Sequence, residues 1–448
     1  MKRILALVLA VLMMATVFVG CGNKPATPAA NGGNNANAGD KNTNEFVKLE
    51  ITDEQAAEGK ANYKPEANAE LLVWAPDKAV ALIEEQCKAF AAQYPDANIK
   101  ITVKAQGEGD ASAALLNDPE KAADVFGFAC DQLSGLINAK VIKPVNAFFV
   151  NDVVKNNSAG SIQAAAYDQK LYAFPETGDN GYYLVYDKSV VSDEDAKTLE
   201  GILAACKKAG KQFIFNVGNG FYGCTLPFTG GLEINGLAED NVTQLFNDYN
   251  EDEVVDTLVA FATLFHEYEG TLVDNDPSAV TAGFSVDPKT VAAGVDGSWN
   301  AAGVAAALGE NFGAAKLPTI NVNGKAKQLI SLHGYKLIGV NNYTKYPNAA
   351  TLLADYLTNE ACQIERAEKL SWGPSNINAA KSEAVTGNVA VSAILEQAAN
   401  SLPQINIAGT FWTPMGTLGA TLCKPGEKYD ADTVRQLLKD TVSGIKDE

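Results

Sequence analysis

From Ala69 onward, short apolar runs alternate with stretches of helical periodicity, and no other feature restricts the fold as strongly. Ala69-Glu70-Leu71-Leu72-Val73-Trp74, followed by Pro76, predicts a buried strand. Asp77 then opens a helical pattern through Val80, Ile83, Cys87 and Phe90 that stops at Pro95. Residues 99–103 alternate as a strand, 111–116 read as a helix and 124–128 as another strand. Further strands are predicted at 169–174, 182–186, 213–215, 290–295, 328–332 and 335–340. Further helices are predicted at 194–209, 253–269, 349–358, 362–370, 390–399 and 432–442. Strands separated by helices pair in parallel through crossovers, so the expected class is α/β. No fixed-period repeat runs through the chain, which argues against solenoids and propellers.

The N-terminus carries an address. Met1-Lys2-Arg3 is basic, and the next 17 residues, Ile4 to Gly20, carry no charge. That run is short for a spanning helix, which needs ~20 apolar residues, and it reads as an export signal. Phe18-Val19-Gly20-Cys21 resembles a bacterial lipobox, in which the cysteine becomes the lipidated first residue. Residues 22–44 contain no large apolar side chain, and 45–68 are charged and weakly patterned. A segment of that composition cannot bury enough surface to offset its ordering entropy. Residues 1–21 are thus expected to be a lipoprotein signal and 22–68 a flexible tether. The body is expected outside the cytoplasmic membrane, held there by a lipid on Cys21. Without Cys21, six cysteines remain and none forms a C-x-x-C pair; buried free thiols are the preferred reading over disulfides.

With 448 residues, two lobes or two to three domains are expected. The balance of 54 acidic to 35 basic residues, a net charge of −19, removes nucleic acid as a partner. Two distant histidines, His266 and His333, weaken metal and histidine-based catalytic readings, and no cofactor or metal is expected.

Several segments, in order, resemble one family. They are Leu72-Val73-Trp74-Ala75-Pro76-Asp77-Lys78, the run Ala123 to Asp131, Asp168 to Pro175, and Leu184-Val185-Tyr186-Asp187-Lys188. Gly297-Ser298-Trp299, Lys316-Leu317-Pro318, Tyr346-Pro347-Asn348 and the pair Phe411-Trp412 follow. The set is similar to the maltose- and oligosaccharide-binding receptors of ABC importers. The resemblance implies two lobes joined by hinge strands, the first from 69–176 and 327–373, the second from 180–324 and 377–448. It further implies a lipid-anchored, monomeric, non-catalytic receptor that captures an oligosaccharide, of maltodextrin type, and delivers it to a permease.

A sugar presents apolar ring faces to aromatics and a hydroxyl edge to carboxylates and other fixed polar groups. Trp299 and Trp412, in Gly- and Pro-containing loop contexts, match the family's stacking positions, as does Phe128. Asp77 and Lys78 follow a strand end, where α/β sheets present a crevice. Asp131 matches a sugar-binding carboxylate, although Gln132 replaces the arginine beside it. Asp179 or Asn180 lies near the family's hinge carboxylate, with the spacing different by one residue, and Tyr222, next to Phe221, resembles an aromatic contact loop. Two other readings stay open: a receptor for an amine, amino acid or peptide, and an extracellular glycosidase using paired carboxylates. An iron site at Tyr182-Tyr183 is disfavoured because neighbours in a strand face opposite ways.

Overall fold

The computed structural model describes residues 46–240 and 242–446. The export signal, Cys21 and the start of the expected tether lie outside the described residues. β1 (Glu70–Ala75), β2 (Lys100–Ala105) and β3 (Val125–Ala129) run parallel, with β1 in the middle. β3 is buried on both faces, which is why Val-Phe-Gly-Phe-Ala reads as a continuous run instead of an alternation.

The chain next extends into β4 (Phe174–Asp187), a strand of 14 residues. β5 (Gln212–Ile214), β6 (Leu272–Val273), β7 (Val291–Gly297), β8 (Phe312–Ala315), β9 (Ser331–Val340) and β10 (Ser401–Pro403) complete one ten-stranded sheet. Its order is β6-β5-β7-β4-β9-β3-β1-β2, with β8 attached to β4 and β10 to β9. Phe174 to Gly181 of β4 pairs with β9, and Tyr182 to Asp187 pairs with β7 and β8. One strand therefore belongs to both halves of the sheet.

Each half has its own core. The first gathers Val73, Ile83, Phe90, Phe126, Phe149, Phe174, Leu337 and Leu353. The second gathers Tyr182, Leu203, Phe213, Phe261, Met415 and Leu438. A smaller cluster containing Tyr183, Val185, Val280 and Ile394 covers the opposite face of the second half. Tyr182 and Tyr183 thus face apart, as strand geometry requires. Three segments connect the halves: β4, β9 and residues 371–376, where Gly178 N–H donates to Gly373 O at 2.9 Å.

The strand expected at 182–186 is the second part of a longer one that starts at Phe174, because the polar stretch before it stays extended across the joint, whereas of 169–174 only Lys170–Leu171 is a strand of its own, paired with Ala166–Tyr167. Helices at Ala147–Asn156, Ala159–Ala165 and Trp412–Leu422 were not expected. Pro414 marks Trp412 as a loop residue in the sequence, yet proline is tolerated in a first helical turn, where its missing N–H is not needed. The expected tether also ends earlier than residue 68. Thr52 and Gln55 form a reciprocal cap on the helix Asp53–Asn62. That helix packs against Ala147–Asn156, with Tyr63 edge-on to Phe149 at 5.1 Å and Lys60 paired to Asp152 and Asp355. All six described cysteines are free thiols, five of them buried. None of the described helices is long and apolar enough to cross a membrane.

Candidate functional site

Strand ends of the two halves meet at the joint, and one aromatic wall stands on the second half. Phe221 is its centre. Its ring lies 6.1 Å from Trp299 and 6.5 Å from Trp412, centroid to centroid, and 5.0 Å from Tyr182. Asn219 caps the short helix Gly220–Gly223 by accepting from Phe221 N–H, which fixes the turn that presents the ring. Trp299 sits in a tight turn after β7, and Trp412 begins its helix; both indoles are half-buried. A cavity of about 360 Å³ opens on this wall, lined by Asn216, Asn219, Phe221, Tyr222, Asp276, Pro277, Trp299 and Asn300.

The first half contributes polar groups. Lys78, exposed in the turn Asp77–Ala79, donates its Nζ to Asn300 Oδ1 of the second half. Asn300 Nδ2 donates to Asp296 Oδ1 at 2.7 Å, and Gly297 N–H donates to the same oxygen at 2.7 Å. Asp296 Oδ2 is buried without a partner among the described residues. Burial lifts this carboxyl to about 7, against the pull of its two hydrogen bonds and of Lys78. Asp77 is exposed beside Lys78.

The other acids expected at the site serve the joint. Asp131 Oδ1 accepts from Gln404 Nε2 at 2.9 Å, and Gln404 Oε1 accepts from Asn180 Nδ2 at 2.8 Å. Burial raises Asp131 to about 6. Asp179 Oδ2 accepts from Gly373 N–H at 2.6 Å, while its backbone carbonyl accepts from Ser298 Oγ at 2.8 Å. Asp179 and Asn180 are therefore engaged in tying the crossing segments together, a correction to the expectation that they face a ligand. Phe128 is a clearer correction: it is 0% exposed in the first core and packs on Phe126 at 5.5 Å, so it has no free face to stack on anything. Tyr222 is buried under Tyr182 and Phe221, and lines the cavity from beneath the aromatic wall. Trp412 does not line the cavity and reaches it through Phe221.

A family model described as bacterial extracellular solute-binding protein matches residues 85–393. This chain belongs to that family. Among curated relatives of this solute receptor is a galactooligosaccharide-binding protein of Bacillus subtilis strain 168, 25% identical over 398 residues, covering 84% of this chain and 91% of the relative. A solved structure in complex with acarbose is 29% identical, with a TM-score of 0.76 over 85% of this chain and 99% of that one. A maltodextrin-binding protein from L. casei BL23, solved without ligand, is 24% identical, with a TM-score of 0.71 over 86% and 100%. The two-lobed fold is shared, and membership implies an extracytoplasmic location.

Residues absent from the sequence-based set stand at the aromatic wall and beside it. Phe221 entered it only as Tyr222's neighbour, and nothing in its local pattern separates a wall residue from a core one. Glu108, Lys336 and Trp372 come together only through folding. Lys336 Nζ pairs with Glu108 Oε2 at 2.7 Å and lies 5.3 Å from the Trp299 ring centroid and 4.9 Å from that of Trp372. Glu176 stands next to this pair, with Arg366 Nε 3.7 Å from its Oε1. Burial pushes Glu176 well above the usual carboxylate range, although Arg366 opposes the shift. Burial alone would lower Lys336, but Glu108, Asp179 and Glu176 together hold it above its ordinary value.

Proposed function

We propose that this protein is a lipid-anchored, monomeric receptor that captures a neutral oligosaccharide between its lobes and presents it to an import permease, without altering it chemically. The observation that carries this reading is the cavity lined by Phe221, Tyr222 and Trp299 together with Asp276, Asn216 and Asn300. Ring faces suit the apolar faces of a sugar, and the carboxylate and amides suit its hydroxyls. The relatives named for galactooligosaccharides and maltodextrin support the same class. The anchor rests on Cys21 and the apolar run before it.

A thermal-shift panel tests the proposal. Malto- or galacto-oligosaccharides should raise the melting temperature, because a ligand at a hundredfold excess over Kd adds about 2.7 kcal/mol to the folded state. A flat response to all glycans, with a rise for an amine or amino acid, would overturn it; shortened products after incubation would mean a glycosidase. Cys21→Ser should release the protein into the medium, and retention on cells would refute the anchor.

A further inference from the structure

Gly127 lies mid-strand in β3, fully buried, and its missing side chain leaves a defined gap. A Cβ placed there would meet Glu108 Cγ at 3.4 Å, Glu108 Oε1 at 3.6 Å and Glu176 Oε2 at 3.6 Å. Two carboxylate oxygens on separate segments thus converge on a space that holds no side chain. Glu108 Oε1 has no hydrogen-bond partner among the described residues, although the residue is only 6% exposed. An unpaired buried carboxylate oxygen is expensive to maintain unless something donates to it. Lys336 holds the other oxygen of Glu108, so the free one stays directed to its own side.

The location is as informative as the chemistry. Glu108 follows β2 and Glu176 sits near the start of β4, while Lys336, on β9, faces Ala129 at the end of β3. Glu108 therefore lies where loops leaving the C-terminal ends of parallel strands form a crevice. Trp299, which lines the aromatic cavity, also lies with its ring centroid 5.3 Å from Lys336 Nζ, so one indole borders both the cavity and the charged group.

We propose that Glu108, Glu176 and Lys336, gathered around the gap at Gly127 beneath Trp299, form a polar subsite that takes a hydroxyl group of the bound oligosaccharide. The hydroxyl donates to Glu108 Oε1 and occupies the space a side chain at residue 127 would fill. Glu108 and Lys336 are then specificity-determining residues. The inference rests on the oligosaccharide reading.

The experiment is isothermal titration calorimetry on the full chain with maltotriose, the best other binder from the glycan panel, and their monodeoxy analogues. Gly127→Ala meets its neighbours at ordinary contact distances, so the variant should fold with an unchanged melting temperature and bind at least tenfold more weakly. Glu108→Gln should also weaken binding tenfold or more. One deoxy analogue should bind poorly to the native chain, and that penalty should vanish in Glu108→Gln, a signature that a structural role would not produce. Should Gly127→Ala fail to fold, the analogue comparison in Glu108→Gln still decides. Glycan binding that both variants leave intact, or a deoxy penalty that survives in Glu108→Gln, overturns the subsite alone. No glycan binding by the native chain overturns the oligosaccharide reading and the subsite with it.

Discussion

Gly297→Ala isolates the placement of one ring. Gly297 closes β7 with φ −82° and ψ 155°, a conformation open to any L residue, so alanine adds no backbone strain. What it adds is a clash. Its Cβ would lie 2.2 Å from Trp299 Cε2 and Cζ2 and 2.4 Å from Cη2. Carbon atoms pack at roughly 3.5–4.0 Å, so the indole must retreat by about 1.3 Å or more or leave its rotamer. Overpacking of this kind costs about 1–3 kcal/mol when the neighbour cannot move. Trp299 is half-buried on a cavity, so it has somewhere to go, and the stability loss should fall at the lower end of that range. The binding loss should be larger, because the displaced ring intrudes on the ligand space and leaves Lys336. We expect oligosaccharide affinity to fall at least tenfold, by titration calorimetry, with a red-shifted tryptophan emission and a melting temperature within a few degrees of the native protein. Native affinity with unchanged emission would show that the Trp299 ring does not border the ligand.

Phe221→Ala should weaken binding by about 2 kcal/mol, the scale of a buried aromatic anchor, and Trp412→Ala by several-fold less, since Trp412 acts through Phe221; the reverse order in calorimetry would refute this wall. Asp179→Ala removes the acceptor of Gly373 N–H and should lower stability by about 1–3 kcal/mol in urea titration, whereas an unchanged midpoint would show that the brace is idle. Asp296, held at about 7, and Asp131, at about 6, keep protons that an unfolded carboxylate near ~4 releases, so stability should fall as pH rises from ~4 to 7. Glu176 acts in the same direction; His333, lowered to about 4 by burial, opposes them below its unfolded value of ~6.5. The ligand-free chain should therefore show a higher urea midpoint at pH 5.5 than at pH 8, and the opposite order would mean that these carboxylates are ionised in the fold.

The α/β class was legible because hydrophobic periodicity is local: β1, β2, β3 and most long helices announce themselves within a dozen residues. β4 was harder to read. Its centre, Glu176 to Asn180, is polar, and polar residues inside an apolar strand look like a loop until the crossing between two cores explains them. At the candidate site, the Gly-Ser-Trp setting singled out Trp299, and a place after a strand and Pro76 singled out Lys78. Phe128 misled, since a buried strand face and a ligand platform carry the same residue types. Asp131 and Asn180 misled for a related reason. Their roles depend on Gln404, more than 200 positions away in sequence, and no window includes it.

The same long-range chemistry explains why recognition needs both lobes. Ring faces come almost wholly from the second lobe, through Phe221, Tyr222 and Trp299, whereas the unpaired carboxylate oxygen of Glu108 and the exposed Lys78 ammonium come from the first. A sugar lying on the second lobe alone meets the rings and that lobe's Asn216, Asp276 and Asn300, and lacks the polar groups of the first lobe. Lys78 bonds to Asn300 and Lys336 lies 5.3 Å from the Trp299 ring centroid, contacts between the lobes that an opening of the joint would break. A ligand shifts a conformational equilibrium by its difference in affinity for the two states and by nothing else. On this geometry, aromatic substitutions should reduce affinity in both states, whereas loss of Glu108 or Lys336 should reduce closure more than initial capture. A fluorescence pair spanning the lobes would separate the two effects: Glu108→Gln that still binds sugar yet closes as fully as the native chain would contradict this division of labour.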